Sequence, residues 1–383
     1  MSKTNSRNIL IIGGGVIGLS IARELRRRGA GRITLVERGV CGRESSWAAA
    51  GMLGPQAEAD EAGDMLQFCL ESRDLYTEFA ASLAEETGID VELDRQGTLY
   101  LAFSEDETSR LAKRVEWQTA AGLRAEHLTA DEVRRAEPFV SPDVVSGVLF
   151  PDDWQVENRK LCDALRRYAG LNSITILENT EATELLNDHG RITGVRTAGG
   201  DITAGKTILA TGAWTSLIKL GAFPLPVSVK PIRGQMICYR TAKRLFERVI
   251  YSHGGYLVPR RDGRVLAGAT SEDAGFSNVT TDAGIAGLID AAATISPALA
   301  GLGIDDKWSG LRPQAPDELP VVGTFVGLDD LYIATAHYRN GILLAPRTAE
   351  IMADLIVDGR GSDYTDVFGP ERFRGGKYSS LST

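Results

Sequence analysis

The stretch Ile9-Leu10-Ile11-Ile12-Gly13-Gly14-Gly15-Val16-Ile17-Gly18 decides the fold, together with Ser20 to Arg28, Ile33 to Val36 and Glu37 behind it. An apolar run enters a glycine turn, an amphipathic segment leaves it, and a second apolar run ends on an acid. That order is strand, turn, helix, strand and carboxylate, the layout a dinucleotide requires. Gly13 permits the tight turn, Gly15 lets the backbone approach a pyrophosphate, and Gly18 lets helix and strand pack closely. The helix N-terminus offers unpaired N–H groups and its positive dipole end to phosphate oxygens. Glu37 follows the turn by about twenty residues, where a carboxylate accepts ribose hydroxyls. A glycine turn alone would say little; strand, helix and acid together make the reading specific.

The bulk properties bound the rest. A chain of 383 residues is too long for one small core, and two domains are expected. With 43% hydrophobic and 24% charged residues it reads as an ordinary soluble protein. The formal net charge of −9 argues against nucleic acid or an anionic membrane as the main partner. No apolar run approaches the roughly 20 residues that span a bilayer. The leader Met1 to Arg7 is short and polar, so it is not a secretory signal, and the expected compartment is the cytoplasm. Cys41, Cys69, Cys162 and Cys238 are scattered, without zinc spacing, and read as buried free thiols with no metal site.

Along the chain, the first helix is expected to bury Ile17, Ile21, Ala22 and Leu25 and to turn Arg23 and Arg26 to Arg28 outward. Ser45 or Ser46 reads as a helix cap in the small-residue stretch Ser45 to Gly54. Asp64 to Glu86 reads as a long helix with Leu66, Leu70, Leu75, Phe79 and Leu83 on its core face. Ser104 with Glu107, and Thr129 with Glu132, are capping-box pairs that open two more helices. Strands are expected at 97–103, 174–178, 181–186, 191–197 and 206–210, then at 227–239, 249–252, 256–259 and 264–268. A turn at Arg261-Asp262-Gly263 joins the last pair. Helices follow at 282–294 and 342–357, and the polar tail beyond Gly359 reads as loosely held.

The segments IIGGGVIGLSIARELRRRG, SSWAAAGML, ATGAW, GLRPQAPDELPVVG and ATAHYRNGILLAP occur in that order. Together they resemble the D-amino acid oxidase-like flavoproteins, most closely the glycine oxidase branch linked to thiamine synthesis, over nearly the whole chain from Ile9 to Leu355. The resemblance implies an α/β, two-domain architecture. A Rossmann-like FAD-binding domain (1–90, 145–225 and 305–383) is interleaved with an antiparallel-sheet substrate domain (91–144 and 226–304). It places Gly13, Gly15, Val16, Ile17 and Gly18 at the pyrophosphate and Glu37-Arg38 at the adenosine ribose. Ser45, Ser46, Ala50, Gly51 and Met52 would flank the path to the flavin, and Ala182 would meet the adenine. His337, Tyr338, Arg339, Asn340, Gly341, Ile342 and Leu343 would wrap the isoalloxazine. A helix starting near Gly341 would aim its N–H groups where negative charge builds on reduction.

An amino-acid oxidase also needs a carboxylate clamp, for which arginine's planar fork is suited. Arg312 stands at the family's clamp position, Tyr256 matches a tyrosine facing the carboxylate, and Arg339 adds a second positive contact. Gly54 and Ala57 would line the opposite wall. Ser271 stands where relatives carry a larger apolar side chain. Leu311 to Gln314 lacks the cysteine that tethers flavin in sarcosine oxidases, so FAD is expected to be non-covalent. The implied reaction is oxidation of glycine, sarcosine or small D-amino acids with O2. The alternatives are a dehydrogenase passing electrons to a quinone and a flavin-binding module without turnover. Relatives of this kind are often homotetramers.

Overall fold

Ile9–Ile12 (β1) pairs in parallel with Ile33–Val36 (β2) on one side and Lys206–Leu209 on the other. All four β1 residues are buried, as expected of a parallel strand covered on both faces. Thr175–Leu177 extends the sheet beyond β2, and Leu328–Thr335 extends it beyond Lys206–Leu209. The computed structural model describes residues 8–221 and 223–374, so the leader Met1 to Arg7 and the end of the polar tail lie outside the described residues. Among the described residues this sheet has eleven strands, and Ala182–Asp188, Arg191–Thr197 and Gly200–Thr203 form an antiparallel wing at its other side.

Val16–Arg27 (α1) crosses the sheet and packs against Asn158–Leu171 and Gly341–Ala353. Ile21, Ala22 and Leu25 are buried as the periodicity requires, and Ile17 partly so. Arg23 is not outward. It is buried, ion-paired to Glu86 at 2.7 Å, bonded to the Ser82 hydroxyl, and lies over the rings of Phe79 and Tyr168. A long helix, Asp64–Thr87, brings Phe79, Ser82 and Glu86 to it, and Asn158–Leu171 brings Tyr168; no local pattern in the first helix could reveal that.

The same long helix differs from its expected leucine stripe. Its buried face carries Cys69, Ser72, Arg73, Tyr76 and Ala80, while Leu70, Leu75 and Phe79 are only partly covered. The reason lies in the opposing helix, Gly341–Ala353, where Pro346 has no N–H to give the Ile342 carbonyl. The Tyr76 hydroxyl donates to that carbonyl at 2.5 Å, and Ser72 donates to the Leu343 carbonyl at 2.7 Å.

A second, eight-stranded sheet runs in the order Ile304–Gln314, Lys230–Arg240, Arg264–Gly268, Gly255–Pro259, Val249–Ser252, Thr98–Ala102, Ser146–Phe150 and Glu126–Thr129. The Arg264–Gly268 strand pairs antiparallel with Gly255–Pro259 across the expected hairpin. Asp282–Ile295 covers one face through Ile285, Leu288, Ala292 and Ile295. Both expected capping pairs open helices, Glu105–Ala120 from Ser104 and Ala130–Ala136 from Thr129. The fold is thus α/β, with a mainly parallel nucleotide-type sheet beside a mainly antiparallel one, in which Val249–Ser252 runs parallel to Thr98–Ala102. Two segments grouped by sequence with the glycine turn are paired elsewhere: Ser146–Phe150 joins Thr98–Ala102, and Ile304–Gln314 lies along Lys230–Arg240. Cross-strand hydrogen bonding decides this, and the exposed Asp305, Asp306 and Lys307 hide the strand from an apolar-run reading.

The tail beyond Gly359 is not loose up to Arg374. Asp363–Val367 is helical, and Tyr364 and Phe368 stack on Phe68 with centroids 4.7 and 5.4 Å away.

Candidate active site

One cavity of about 1440 Å³ runs from the glycine turn to the antiparallel sheet. That exceeds the 300–1,000 Å³ of ordinary small-molecule sites, leaving room for an extended cofactor and a substrate together. At its nucleotide end the three motif glycines are needed for different reasons. A Cβ on Gly13 would lie 2.3 Å from the Ala210 carbonyl oxygen, and one on Gly18 would lie 2.0 Å from the Gly13 carbonyl oxygen. A Cβ on Gly15 would meet only the Ser46 hydroxyl, at 3.3 Å, and otherwise point into space. Gly13 and Gly18 serve packing; Gly15 keeps the cavity open.

Glu37 is fixed rather than dangling. Its carboxylate accepts from the Gly14 N–H at 2.8 Å and the Gly39 N–H at 2.9 Å. Arg38 pairs with Glu44 and stacks on the Trp214 ring at 3.8 Å. Neither Ser45 nor Ser46 caps the turn Ser45–Ala48, which starts at Glu44 without a side-chain cap. Ser46 instead accepts from the Val16 N–H at 3.0 Å, at the α1 N-terminus, and Ser45 donates to the Leu311 carbonyl. The chain then passes Ala50, Gly51 and Met52. Arg260 donates to the Ala50 carbonyl at 2.7 Å, and the Val156 N–H to the Gly51 carbonyl at 2.8 Å.

Gly13, Gly15, Val16, Ile17, Glu37, Arg38, Ser45, Ser46, Ala50, Gly51, Met52 and Ala182 all line the cavity, as do His337 to Ile342. Gly18 and Leu343 do not. Gly18 is packed beneath the turn, and the Leu343 side chain belongs to the helical core. The helix Gly341–Ala353 starts from Asn340 without a side-chain cap, so the N–H groups of its first turn stay available. Ala336 and Tyr338 take left-handed backbone on either side of His337. The buried His337 ring bonds the Thr348 hydroxyl at 3.0 Å, and burial pushes its pKa down to about 3.

At the other end Arg312, Tyr256, Arg339, Gly54 and Ala57 share the cavity wall. Arg312 donates to the Thr270 carbonyl at 3.0 Å, and its guanidinium lies against Gly234. A network pins Thr270: its hydroxyl donates to Glu272, which also accepts from Arg233 and from Gln235, while the Gln235 N–H donates back to Thr270. These donors hold the Glu272 pKa down at about 2 despite the cost of burial. The Tyr256 hydroxyl reaches Met236 Sδ at 3.3 Å. Burial raises its pKa, with Arg312 and Arg339 opposing. Tyr251 stacks on it at 6.0 Å, and Tyr100 lies 5.0 Å beyond Tyr251.

The sequence reading missed Gly234, Glu58, Tyr100, Tyr251 and Trp214, all of which line the cavity. Strand register and packing bring them there, although Trp214 ends a segment already quoted. Ser271 is exposed and outside the lining, so it does not set the cavity volume. The four cysteines are buried and free, and burial pushes each thiol's pKa up. Among the described residues no helix is long and apolar enough to cross a membrane.

The glycine cradle, the fixed Glu37 carboxylate and two helix N-termini in one continuous cavity fit an extended dinucleotide. The comparisons agree. A family model described as FAD dependent oxidoreductase matches residues 8–355. The chain is 38% identical to a bifunctional ThiO/ThiG protein of Synechocystis, covering 96% of this chain and 54% of that one. It thus spans about half the length of the bifunctional relatives it matches. A glycine oxidase of Pseudomonas aeruginosa is 37% identical, with 92% of this chain and 95% of that one covered. The crystal structure of glycine oxidase from Geobacillus kaustophilus superposes with a TM-score of 0.91 at 32% identity, covering 96% of this chain and all of that one. On the extent of the family match and of these identities, the chain belongs to the FAD-dependent oxidoreductase family.

Proposed function

We propose that the protein is an oxidase of glycine and similarly small amines, with non-covalently held FAD, acting on a substrate clamped by Arg312. The observation that carries this reading is the placement of Arg312 and Tyr256 in the cavity that begins at the glycine turn. The names of the glycine oxidase relatives support it. When bound, FAD supplies the acceptor for a hydride leaving the amine carbon, with O2 as final acceptor, and water converts the resulting imine to 2-oxo acid and ammonia.

The chain's own part is positioning and charge. Arg312 meets the substrate carboxylate with its fork, held in orientation by the Thr270 carbonyl. Tyr256, whose raised pKa keeps it protonated, donates to the same carboxylate. Arg339 adds positive charge from the other wall. Glu37 receives the ribose hydroxyls, and the turn Gly13 to Val16 receives the pyrophosphate. The first turn of Gly341–Ala353 presents N–H groups where negative charge develops. The absence of cysteine from Leu311 to Gln314 supports a dissociable cofactor.

The test is product stoichiometry. The holoenzyme given glycine in air is expected to form glyoxylate, ammonia and hydrogen peroxide in equal amounts. Oxidation of glycine that proceeds only with a quinone, without peroxide, would replace the oxidase reading by a dehydrogenase. No glyoxylate under either condition would remove glycine as substrate.

A further inference from the structure

Arg312, Arg339 and Glu58 line the cavity, as do Asp60, Glu61, Glu107, Arg110 and Lys113. None of the first three forms an ion pair among the described residues. Arg114 also lines the wall but is occupied, donating to the Ala57 carbonyl and to Asp60. Arg312 and Arg339 are close enough to Glu58 to act on its charge.

The position of Glu58 is fixed from beneath. It ends the short turn Pro55–Glu58, whose Gln56 and Ala57 N–H groups donate to the buried Asp153 carboxylate at 3.1 and 2.7 Å. The Gln56 side chain is anchored in turn to Gln118 and the Arg124 carbonyl. The backbone under Glu58 is therefore pinned, while its half-buried carboxylate has no hydrogen-bond donor of its own. An unpaired carboxylate in such a place costs free energy that a ligand's donor recovers. Burial pushes the Glu58 pKa up, and Arg339, Arg312 and Arg114 oppose that.

We infer that Glu58 is the amine-binding residue of this site, the group that makes it take 2-amino acids and refuse 2-hydroxy acids of the same size. This rests on the amine-oxidase reading above and names the residue behind it. A zwitterion satisfies both signs of this group, its carboxylate on Arg312 and its ammonium on Glu58, whose carboxylate takes the proton that the nitrogen gives up before the hydride leaves. A 2-hydroxy acid puts its carboxylate on Arg312 in the same way but offers Glu58 a neutral hydroxyl in place of the ammonium, so the carboxylate of Glu58 stays without a counter-charge. Discrimination then comes from the charge left unpaired with the wrong ligand, the strongest form a small site can use.

The experiment compares glycine turnover with competitive inhibition by glycolate in the FAD-loaded wild type and in Glu58→Gln. In Glu58→Gln the KM for glycine is expected to rise about 10- to 100-fold, the worth of one charge-assisted hydrogen bond. The Ki for glycolate should fall, with the flavin content and spectrum unchanged. Glu58→Asp should recover part of the glycine affinity. Opposite movement of the two ligands is the signature, because a merely structural role would weaken both. Parallel weakening, or no change in either, would overturn the assignment. A wild type that retains FAD yet never oxidises an amine would overturn the amine-oxidase reading itself and this assignment with it.

Discussion

Gly234 is the floor on which Arg312 lies: a Cβ at Gly234 would stand 2.3 Å from Arg312 Nη1. Gly234 pairs with Gly310 across the sheet, which places Arg312 diagonally on the same face. The glycine is needed so that the guanidinium can lie flat with its fork toward the cavity. Gly234→Ala is expected to displace it and raise the KM for glycine about 10- to 100-fold, as loss of one charge-assisted contact does. FAD content should stay as in the wild type. Steady-state kinetics beside a flavin-to-protein absorbance ratio checks both.

Gly15 and Gly18 should separate cofactor binding from folding. Gly18→Ala forces a Cβ against the Gly13 carbonyl and is expected to destabilise the turn by about 1–3 kcal/mol, an overpacking cost, as well as weaken FAD. Gly15→Ala meets only a hydroxyl, so stability without cofactor should be nearly unchanged while FAD binding falls. Urea unfolding of the apoproteins and flavin-fluorescence titration give the two readouts.

Tyr76→Phe should leave the Ile342 carbonyl without a partner, because Pro346 cannot supply one. A loss of about 1–3 kcal/mol in unfolding free energy is expected for a buried unpaired acceptor. Adding Pro346→Ala restores an N–H at that position, so the double variant should lose less than Tyr76→Phe alone. Denaturant midpoints of the three proteins test the pairing.

His337 gives a pH signature. Its pKa falls from the ordinary 6.5 to about 3 on folding, so below 6.5 the unfolded chain takes up a proton that the folded one refuses. The stabilisation is fully present above the unfolded pKa and declines as pH falls toward the folded one, at about 1.4 kcal/mol per pH unit. His337→Asn removes this contribution. The difference in stability between wild type and variant should shrink as pH drops from about 7 to about 5. A difference constant with pH would mean that the imidazole takes up its proton in the folded protein as it does in the unfolded chain.

The parts of the site legible in the sequence are those built from consecutive residues. The turn Gly13 to Gly18, Glu37 after the second strand, and the segment His337 to Ile342 all stand in the cavity where their local chemistry pointed. Arg312 was legible through the residues around it. What escaped depends on partners far along the chain. Arg23 is buried because Glu86 and Ser82 come from another helix, and Ser72 and Tyr76 face inward because Pro346 leaves the helix beside them short of a donor. Gly234 matters only through its register with Ile304–Gln314, a strand whose charged start concealed it. Glu58 ends a turn held by Asp153, about ninety-five residues later, a spacing no motif records.

The central claim, that an amine clamped by Arg312 is oxidised by FAD in this cavity, is tested most directly by mixing the FAD-loaded protein with glycine in the absence of oxygen. The flavin absorbance should bleach, more slowly in Arg312→Leu at the same glycine concentration, and return on admission of air as hydrogen peroxide appears. Persistence of the oxidised spectrum with glycine, sarcosine and D-alanine alike would contradict it.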